Sequence, residues 1–225
     1  MSYPFHSGGT RLPEASRGDR DTQVGSKRHF TGCAVIGGDH GVRLGLESHL
    51  EKNAALLLLA SSSTHDLTGQ VSFDWYDEYG EYHTHYIDFV ATQDNGRVVG
   101  FAVRPMERVS DEYKVKLARI REQGIHLCAF DDLVLFTEQD VCPVALHNAE
   151  LFHAVRRPDC FADPVMQDVA GASVGVTTIG ALVDRSGLEG MGFRAAVRLI
   201  KSGHLQMVRY ERIERSSEVY RARTI

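Results

Sequence analysis

Two acidic residues carry the most chemical meaning in this 225-residue chain. Glu51 falls in a stretch with helical spacing, and Asp88 in a stretch with strand character. Two converging carboxylates can hold a hard cation such as Mg²⁺ or Mn²⁺, which activates water and stabilises the charge developing on a phosphate. A nearby lysine would add positive charge or position the water. Position 102, on the strand expected beside Asp88, is alanine, and position 104 is arginine. Alanine has no ligating atom. Arginine at position 104 carries the positive charge but is planar and effectively never deprotonated, so it cannot exchange a proton as a lysine can. Glu107, Glu112, Lys114 and Lys116 follow toward the next helix and are further candidates for an acid or a lysine; taken alone they read as a solvated charged face.

A second constellation is weaker. His83 and His85 are two apart and share a strand face, which with His49 or His126 could hold a transition metal. Strand histidines near a sheet edge more often lie at the surface or accept a hydrogen bond. The four cysteines, Cys33, Cys128, Cys142 and Cys160, are scattered, with no zinc-ligand spacing and no disulfide pattern, as in a reducing cytoplasm. No signal peptide is visible, and no apolar run approaches the ~20 residues that span a membrane, so a cytoplasmic protein without a membrane partner is expected.

The elements that would position these residues can be read along the chain. Residues 1–29 are rich in Gly, Ser, Arg and Asp, without apolar periodicity, and read as a disordered tail. Leu46, Leu50, Ala54 and Leu57 or Leu58 predict a helix from about Leu46 to Leu59, ended by Ser61-Ser62-Ser63. Val71–Trp75 and Tyr82–Ala91 read as strands joined near Tyr79-Gly80. Gln93-Asp94-Asn95-Gly96 predicts a hairpin, because Asn-Gly tolerates positive φ, and Arg97–Val103 returns until Pro105 stops it. Asp111–Gln123 reads as a helix with Ser110 as N-cap and Gly124 as its end; Ile125–Phe130 reads as a strand, and Leu133–Thr137 as a short strand or turn.

The second half begins with a helical or irregular stretch from about Glu138 to Met166, interrupted by Pro143, Pro158 and Pro164. Thr178–Asp184 then reads as a short helix, Ser186-Gly187 as a turn, and Gly192–Ser202 as a second helix closed by Gly203. Leu205–Tyr210 and Val219–Ala222 read as two strands, which gives the element order of a winged helix-turn-helix. Arg194, Arg198 and Lys201 form one basic stripe on the second helix, with Phe193, Val197 and Ile200 facing the core; Arg209, Arg212 and Arg215 would charge the wing. The overall net charge is −5, yet residues 185–225 hold nine Lys/Arg against four Asp/Glu, so that segment is +5 and the remainder −10. This asymmetry raises the hypothesis that an anion binds toward the C-terminal end.

The ordered set Glu47-Ser48-His49-Leu50-Glu51, Gln70-Val71, His85-Tyr86-Ile87-Asp88-Phe89, Val99–Pro105, Gln123-Gly124-Ile125 and Thr137-Glu138 resembles the catalytic domain of the TnsA-like transposition endonucleases, within the restriction-endonuclease-like superfamily. The resemblance runs from about His29 to Val141 and covers half the chain. It implies an α/β fold: a mixed sheet flanked by helices, followed by a smaller helical or winged-helix domain. The implied division is a tail at 1–29, the nuclease-fold domain at 30–142, a connecting segment at 143–175 and a winged-helix-like domain at 176–225. By position, Glu51 and Asp88 match the family's acidic Mg²⁺ or Mn²⁺ ligands. Ala102 falls where the family has Gln or Glu, and Arg104 where it has Lys. The expectation is a DNA-binding protein with an impaired endonuclease fold, acting in transposition, recombination or mobile-element regulation beside a transposase, recombinase or other mobile-element protein. An active endonuclease with a migrated residue and a protein-interaction scaffold are the alternatives.

Overall fold

The structure, a computed structural model, describes residues 11–22, 30–38 and 40–222. The chain divides into two compact units, Met1–Leu58 with Ser63–Val141, and Leu59–Ser62 with Cys142–Ile225.

In the first unit, β1 (Gly32–Ile36) and β2 (Val42–Leu46) form an antiparallel pair that precedes α1 (His49–Ala60). A four-stranded sheet follows in the order β3 (Thr64–Tyr76), β4 (Tyr82–Gln93), β5 (Val98–Val103) and β6 (Asp132–Phe136). The β3–β4 and β4–β5 pairs are antiparallel; β5 and β6 are parallel, joined through α2 (Asp111–His126). The sheet is therefore mixed and flanked by helices, an α/β arrangement. Leu117 and Ile120 of α2 pack with Phe73, Ile87, Ala102 and Leu133 of the strands.

Three local expectations change. Helix α1 starts later than Leu46, because Leu46 pairs with Gly32 in the β1–β2 ladder. Gly124 does not close α2; it is buried inside it, where a Cβ would meet the Phe130 ring at 1.9 Å. Ile125–Phe130 is not a strand, since the Leu127, Cys128 and Ala129 N–H groups donate back to Gln123, Ile125 and Gly124 as the helix unwinds. The strand is Asp132–Phe136, parallel to β5. Ser110 does cap α2, accepting from the Tyr113 N–H. Both turns behave as expected, with Gly80 and Gly96 at positive φ.

Residues 1–10 and 23–29 of the expected tail lie outside the described residues. The described part, 11–22, is bonded to the sheet. Glu14 exchanges backbone hydrogen bonds with Gly41 and Arg43, Arg17 pairs with Asp66 at 2.7 Å, and Asp19 accepts from the Ser72 N–H and hydroxyl. At Gly18 a Cβ would lie 2.2 Å from the Gly69 carbonyl oxygen, so only glycine lets this segment approach the strand so closely.

The second unit contains α3 (Pro143–Ala154), α4 (Ala162–Gly171), β7 (Val176–Thr178), α5 (Ile179–Ser186), α6 (Glu189–Lys201), β8 (Leu205–Met207) and β9 (Glu218–Arg221). Its sheet is antiparallel in the order β7-β9-β8, one strand more than the sequence suggests, because β7 is only three residues long. Thr178 caps α5, and Gly187 ends it in the left-handed conformation. Residues 143–175 do not behave as a connector: Ala162, Met166 and Ala170 of α4 are buried in the same core as Leu182, Val197 and Val219.

Candidate functional site

The site grows from the start of α1 and the centre of the four-stranded sheet. The Ser48 hydroxyl accepts the Glu51 N–H at 3.0 Å, while Glu51 returns its carboxylate to the Ser48 hydroxyl at 2.9 Å and the Glu47 N–H at 2.8 Å. This reciprocal arrangement satisfies donors that a helix start leaves open, in the manner of a capping box. Glu51 is only 7% exposed. Burial raises its pKa, opposed by the Glu47 N–H and the Ser48 hydroxyl.

Asp88 lies where the sheet is irregular. Gln70, opposite it on β3, has φ 54, and the regular β4–β5 ladder ends at Phe89 and Phe101. Just beyond, the Val103 N–H donates to Asp88 Oδ2 at 2.8 Å instead of to a neighbouring strand carbonyl. Gln70 Nε2 donates to Asp88 Oδ1 at 3.3 Å. Burial pushes the Asp88 carboxyl up to about 7, the Glu51 charge adds to the rise, and the Val103 and Gln70 donors oppose it. A buried acid with so perturbed a pKa marks a candidate functional position.

The nearby cation comes from the chain itself. Arg20 Nη2 donates to both oxygens of Glu47, at 2.9 and 3.0 Å, and to Gln70 Oε1 at 2.6 Å. Its guanidinium lies 5.1 Å from the Tyr86 ring centroid. Arg20, Glu47, Gln70, Asp88 and Glu51 therefore form one linked polar network.

The remaining sequence candidates lie in other surroundings. Ala102 is 0% exposed, within the apolar core. Arg104 turns away from the lysine role: its Nε donates to the Arg108 carbonyl at 2.7 Å, and its guanidinium stacks 4.2 Å from the Tyr113 ring centroid. Glu107 is exposed and lies 3.8 Å from Arg108, while Lys114 pairs with Asp111. Glu112 is exposed, and its carboxyl is held low by the Ser110 hydroxyl. Lys116 sits 5.5 Å from the Trp75 ring centroid. Among the described residues no three His, Cys, Asp or Glu side chains converge as a metal-ligand group.

A Mg²⁺ or Mn²⁺ ion thus finds Glu51 and Asp88 each already accepting a backbone N–H, the neighbouring Glu47 carboxylate already paired with Arg20, and no oxygen at position 102. The donor set does not fit a two-carboxylate hydrolytic metal, which needs converging anionic oxygens. The histidines also go separate ways. His83 pairs with Asp77 at 2.9 Å, His49 stacks on Phe30, and His126 is exposed at the end of α2. His85 Nε2 and Trp75 Nε1 are buried without a hydrogen-bond partner among the described residues. Burial, then the charges of Lys116 and Arg104, lowers the His85 pKa to about 4.

In the second unit the basic stripe of α6 divides. Arg194 is exposed. Arg198 is not available: its Nε donates to Asp163 at 2.8 Å and its Nη1 to the Val155 carbonyl at 3.2 Å. Lys201 Nζ is held by the carbonyls of Leu59, Ala60 and Ser61 at 2.8, 2.8 and 3.0 Å. Both are structural cations. Phe193, Val197 and Ile200 do pack toward the core, as the spacing suggests. Around β8 and β9, Arg209 and Arg212 are exposed, Arg209 lying 4.0 Å from Glu218, and Arg215 pairs with Asp184 at 2.6 Å.

The Arg198 pair is largely shielded, with side chains 15% and 21% exposed. Arg198→Ala is expected to cost about 2–3 kcal/mol by leaving Asp163 uncompensated, read as a lower urea midpoint. Arg194→Ala is expected to leave that midpoint unchanged. A midpoint equal in both variants would show that the Asp163 contact contributes nothing.

Sequence reasoning missed Arg20, which lies in the segment read as tail, and Tyr113, whose ring receives Arg104. Comparison with protein-family models and with curated proteins gives no match for this chain.

Proposed function

We propose that this chain is a DNA-binding protein built on a TnsA-like endonuclease fold whose cleavage centre no longer assembles, and that it acts in transposition, recombination or the regulation of a mobile element. The observation that carries this reading is the pairing of Glu51 and Asp88 at the expected positions with an internal cation beside them. Asp88 senses the Glu51 charge, as neighbouring metal ligands would, yet both carboxylates serve the backbone and Arg20 bridges Glu47 to Gln70. The order helix, antiparallel meander, helix, parallel strand supports the nuclease-like core.

The order α5, α6 and a three-stranded β7-β9-β8 sheet supports a winged-helix reading of the second unit. In that reading α6 is the recognition helix, with Arg194 as its open cation, and Arg209 and Arg212 charge the wing. Arg215 contributes less, since Asp184 already neutralises it. Phosphate contacts of this kind give affinity and salt dependence rather than sequence choice. A transposase, recombinase or other mobile-element protein is the partner that would supply cleavage.

The test is supercoiled plasmid incubated with the protein and Mg²⁺ or Mn²⁺, beside Glu51→Ala and Asp88→Ala, with a gel shift on the same samples. The expected result is salt-sensitive retardation without nicking. Nicking that disappears in both variants would make the protein an active endonuclease. Absence of both nicking and retardation would leave a protein-interaction scaffold.

A further inference from the structure

A cavity of about 470 Å³ opens within the second unit, lined by Ala154–Asp159 and by Met191, Arg194 and Arg198 of α6. Four of its lining residues are arginines: Arg156, Arg157, Arg194 and Arg198. Two acids stand against them, Asp159 in the lining and Asp163 paired with Arg198, so four positive charges meet two negative ones and a net +2 remains.

Both acids are already occupied. Asp159 Oδ1 accepts the N–H groups of Phe161 and Ala162 at 3.0 and 2.9 Å, where α4 begins. Asp163 holds Arg198 and accepts the Asp159 N–H. The arginines are not equally satisfied. Arg156 donates Nη1 to the His153 carbonyl at 3.1 Å, but its Nε is buried with no acceptor among the described residues. Arg157 and Arg194 make no hydrogen bond or ion pair among the described residues. Burial, then the neighbouring Arg157 charge, lowers the Arg156 pKa, so a repulsive pair stands unrelieved.

We infer that this cavity binds the phosphate group of a phosphorylated ligand through Arg156, Arg157 and Arg194, with Arg198 and Asp163 as its fixed wall. A guanidinium presents a fork of N–H donors that matches phosphate oxygens bidentately. A phosphate near two negative charges balances the net +2, whereas a single carboxylate leaves half of it. The volume lies in the range of small-ligand pockets, which is more than a lone phosphate fills, so the group is carried on a larger molecule. That molecule is either a free phosphorylated metabolite or a nucleic-acid backbone. The inference goes beyond the DNA-binding reading and stands without it.

Calorimetric titration of the full chain with inorganic pyrophosphate tests it, together with Arg157→Ala/Arg194→Ala and, as a control for folding, the urea midpoint of each protein. The double variant is expected to fold like the parent and to bind pyrophosphate at least tenfold more weakly. A duplex oligonucleotide then separates the sources. Pyrophosphate that displaces the duplex assigns the pocket to a nucleic-acid backbone; pyrophosphate bound alongside undisturbed duplex, or without any duplex binding, assigns it to a free phosphorylated ligand. Absence of pyrophosphate binding, or binding undiminished in the folded double variant, overturns the inference.

Discussion

Replacing Asp88 by Asn is expected to make the protein more stable than the parent at pH 8, by an amount that grows as the pH rises. The folded carboxyl titrates at about 7, against an ordinary value of 3.8. Between those values the unfolded chain has released the proton and the folded chain has kept it, so the parent loses stability as pH rises through that window, and the loss is complete just above pH 7. At 1.36 kcal/mol per pKa unit, the penalty reaches about 4 kcal/mol as an upper bound, of which up to about 3 kcal/mol accrues between pH 5 and pH 8. Asn carries no charge and keeps an oxygen for the Val103 N–H, while giving up the longer contact from Gln70 Nε2. His85 works in the opposite sense. Its folded pKa of about 4 lies below the ordinary 6.5, so its contribution is present above pH 6.5 and is lost as pH falls toward 4. The two slopes oppose each other between pH 4 and 6.5. Urea unfolding at pH 5, 6.5 and 8 should therefore find the Asp88→Asn gain over the parent widening with pH, whereas the difference between His85→Phe and the parent should be largest at pH 5. An Asp88→Asn gain that does not change with pH would mean that Asp88 is ionised throughout.

Placing an acid at position 102 is expected to destabilise the first unit strongly rather than restore cleavage. Ala102 is 0% exposed, packs with Ile87, Leu117, Ile120 and Leu133, and pairs with Leu135 on the parallel strand. Ala102→Glu adds four heavy atoms beyond the alanine methyl, three of them a carboxylate, into that core. Nearby Asp88 is already driven toward its neutral form by burial, so a further acid meets the same penalty. An uncompensated buried charge costs about 3–5 kcal/mol, to which overpacking adds. For a protein of this size, that corresponds to a fall of roughly 10 °C or more in the thermal midpoint. A scan with and without Mg²⁺, followed by the plasmid assay, checks it. A folded Ala102→Glu protein that nicks DNA with Mg²⁺ would show that the site needs only its missing ligand, and would overturn the non-cleaving reading.

The parts of the fold that could be read from the sequence are those fixed by local chemistry. Asn95-Gly96 and Gly80 mark turns because positive φ is cheap there, and Ser110 marks a helix start because its hydroxyl can take a backbone N–H. Leu46 misled because strand and helix readings of a short apolar run compete, and its pairing with Gly32 is tertiary information. Gly124 misled for a similar reason: glycine usually ends helices, yet here it makes room for the Phe130 ring. At the candidate site, the positions of Glu51 and Asp88 were legible, but not what occupies them. The Ser48-His49-Leu50-Glu51 spacing is itself a capping signature, which a helix beginning at Leu46 would place inside the helix. Nothing local in Arg17-Gly18-Asp19-Arg20 says that it will lie against β3 and reach Glu47. The basic stripe of α6 shows the same limit, since periodicity puts Arg198 on a helix face but cannot reveal Asp163 beside it.

The Arg20 bridge has one more consequence. A dissolved Mg²⁺ ion occupies a site in proportion to its concentration, and a chelator can empty it. A guanidinium tethered by the chain reaches its partners at an effective concentration that the medium does not alter, on the order of millimolar for a flexible tether. The charge beside Glu47 and Gln70 is thus supplied stoichiometrically with every copy made. The Arg20 contact is therefore set by the fold and does not follow the divalent-ion concentration of the medium.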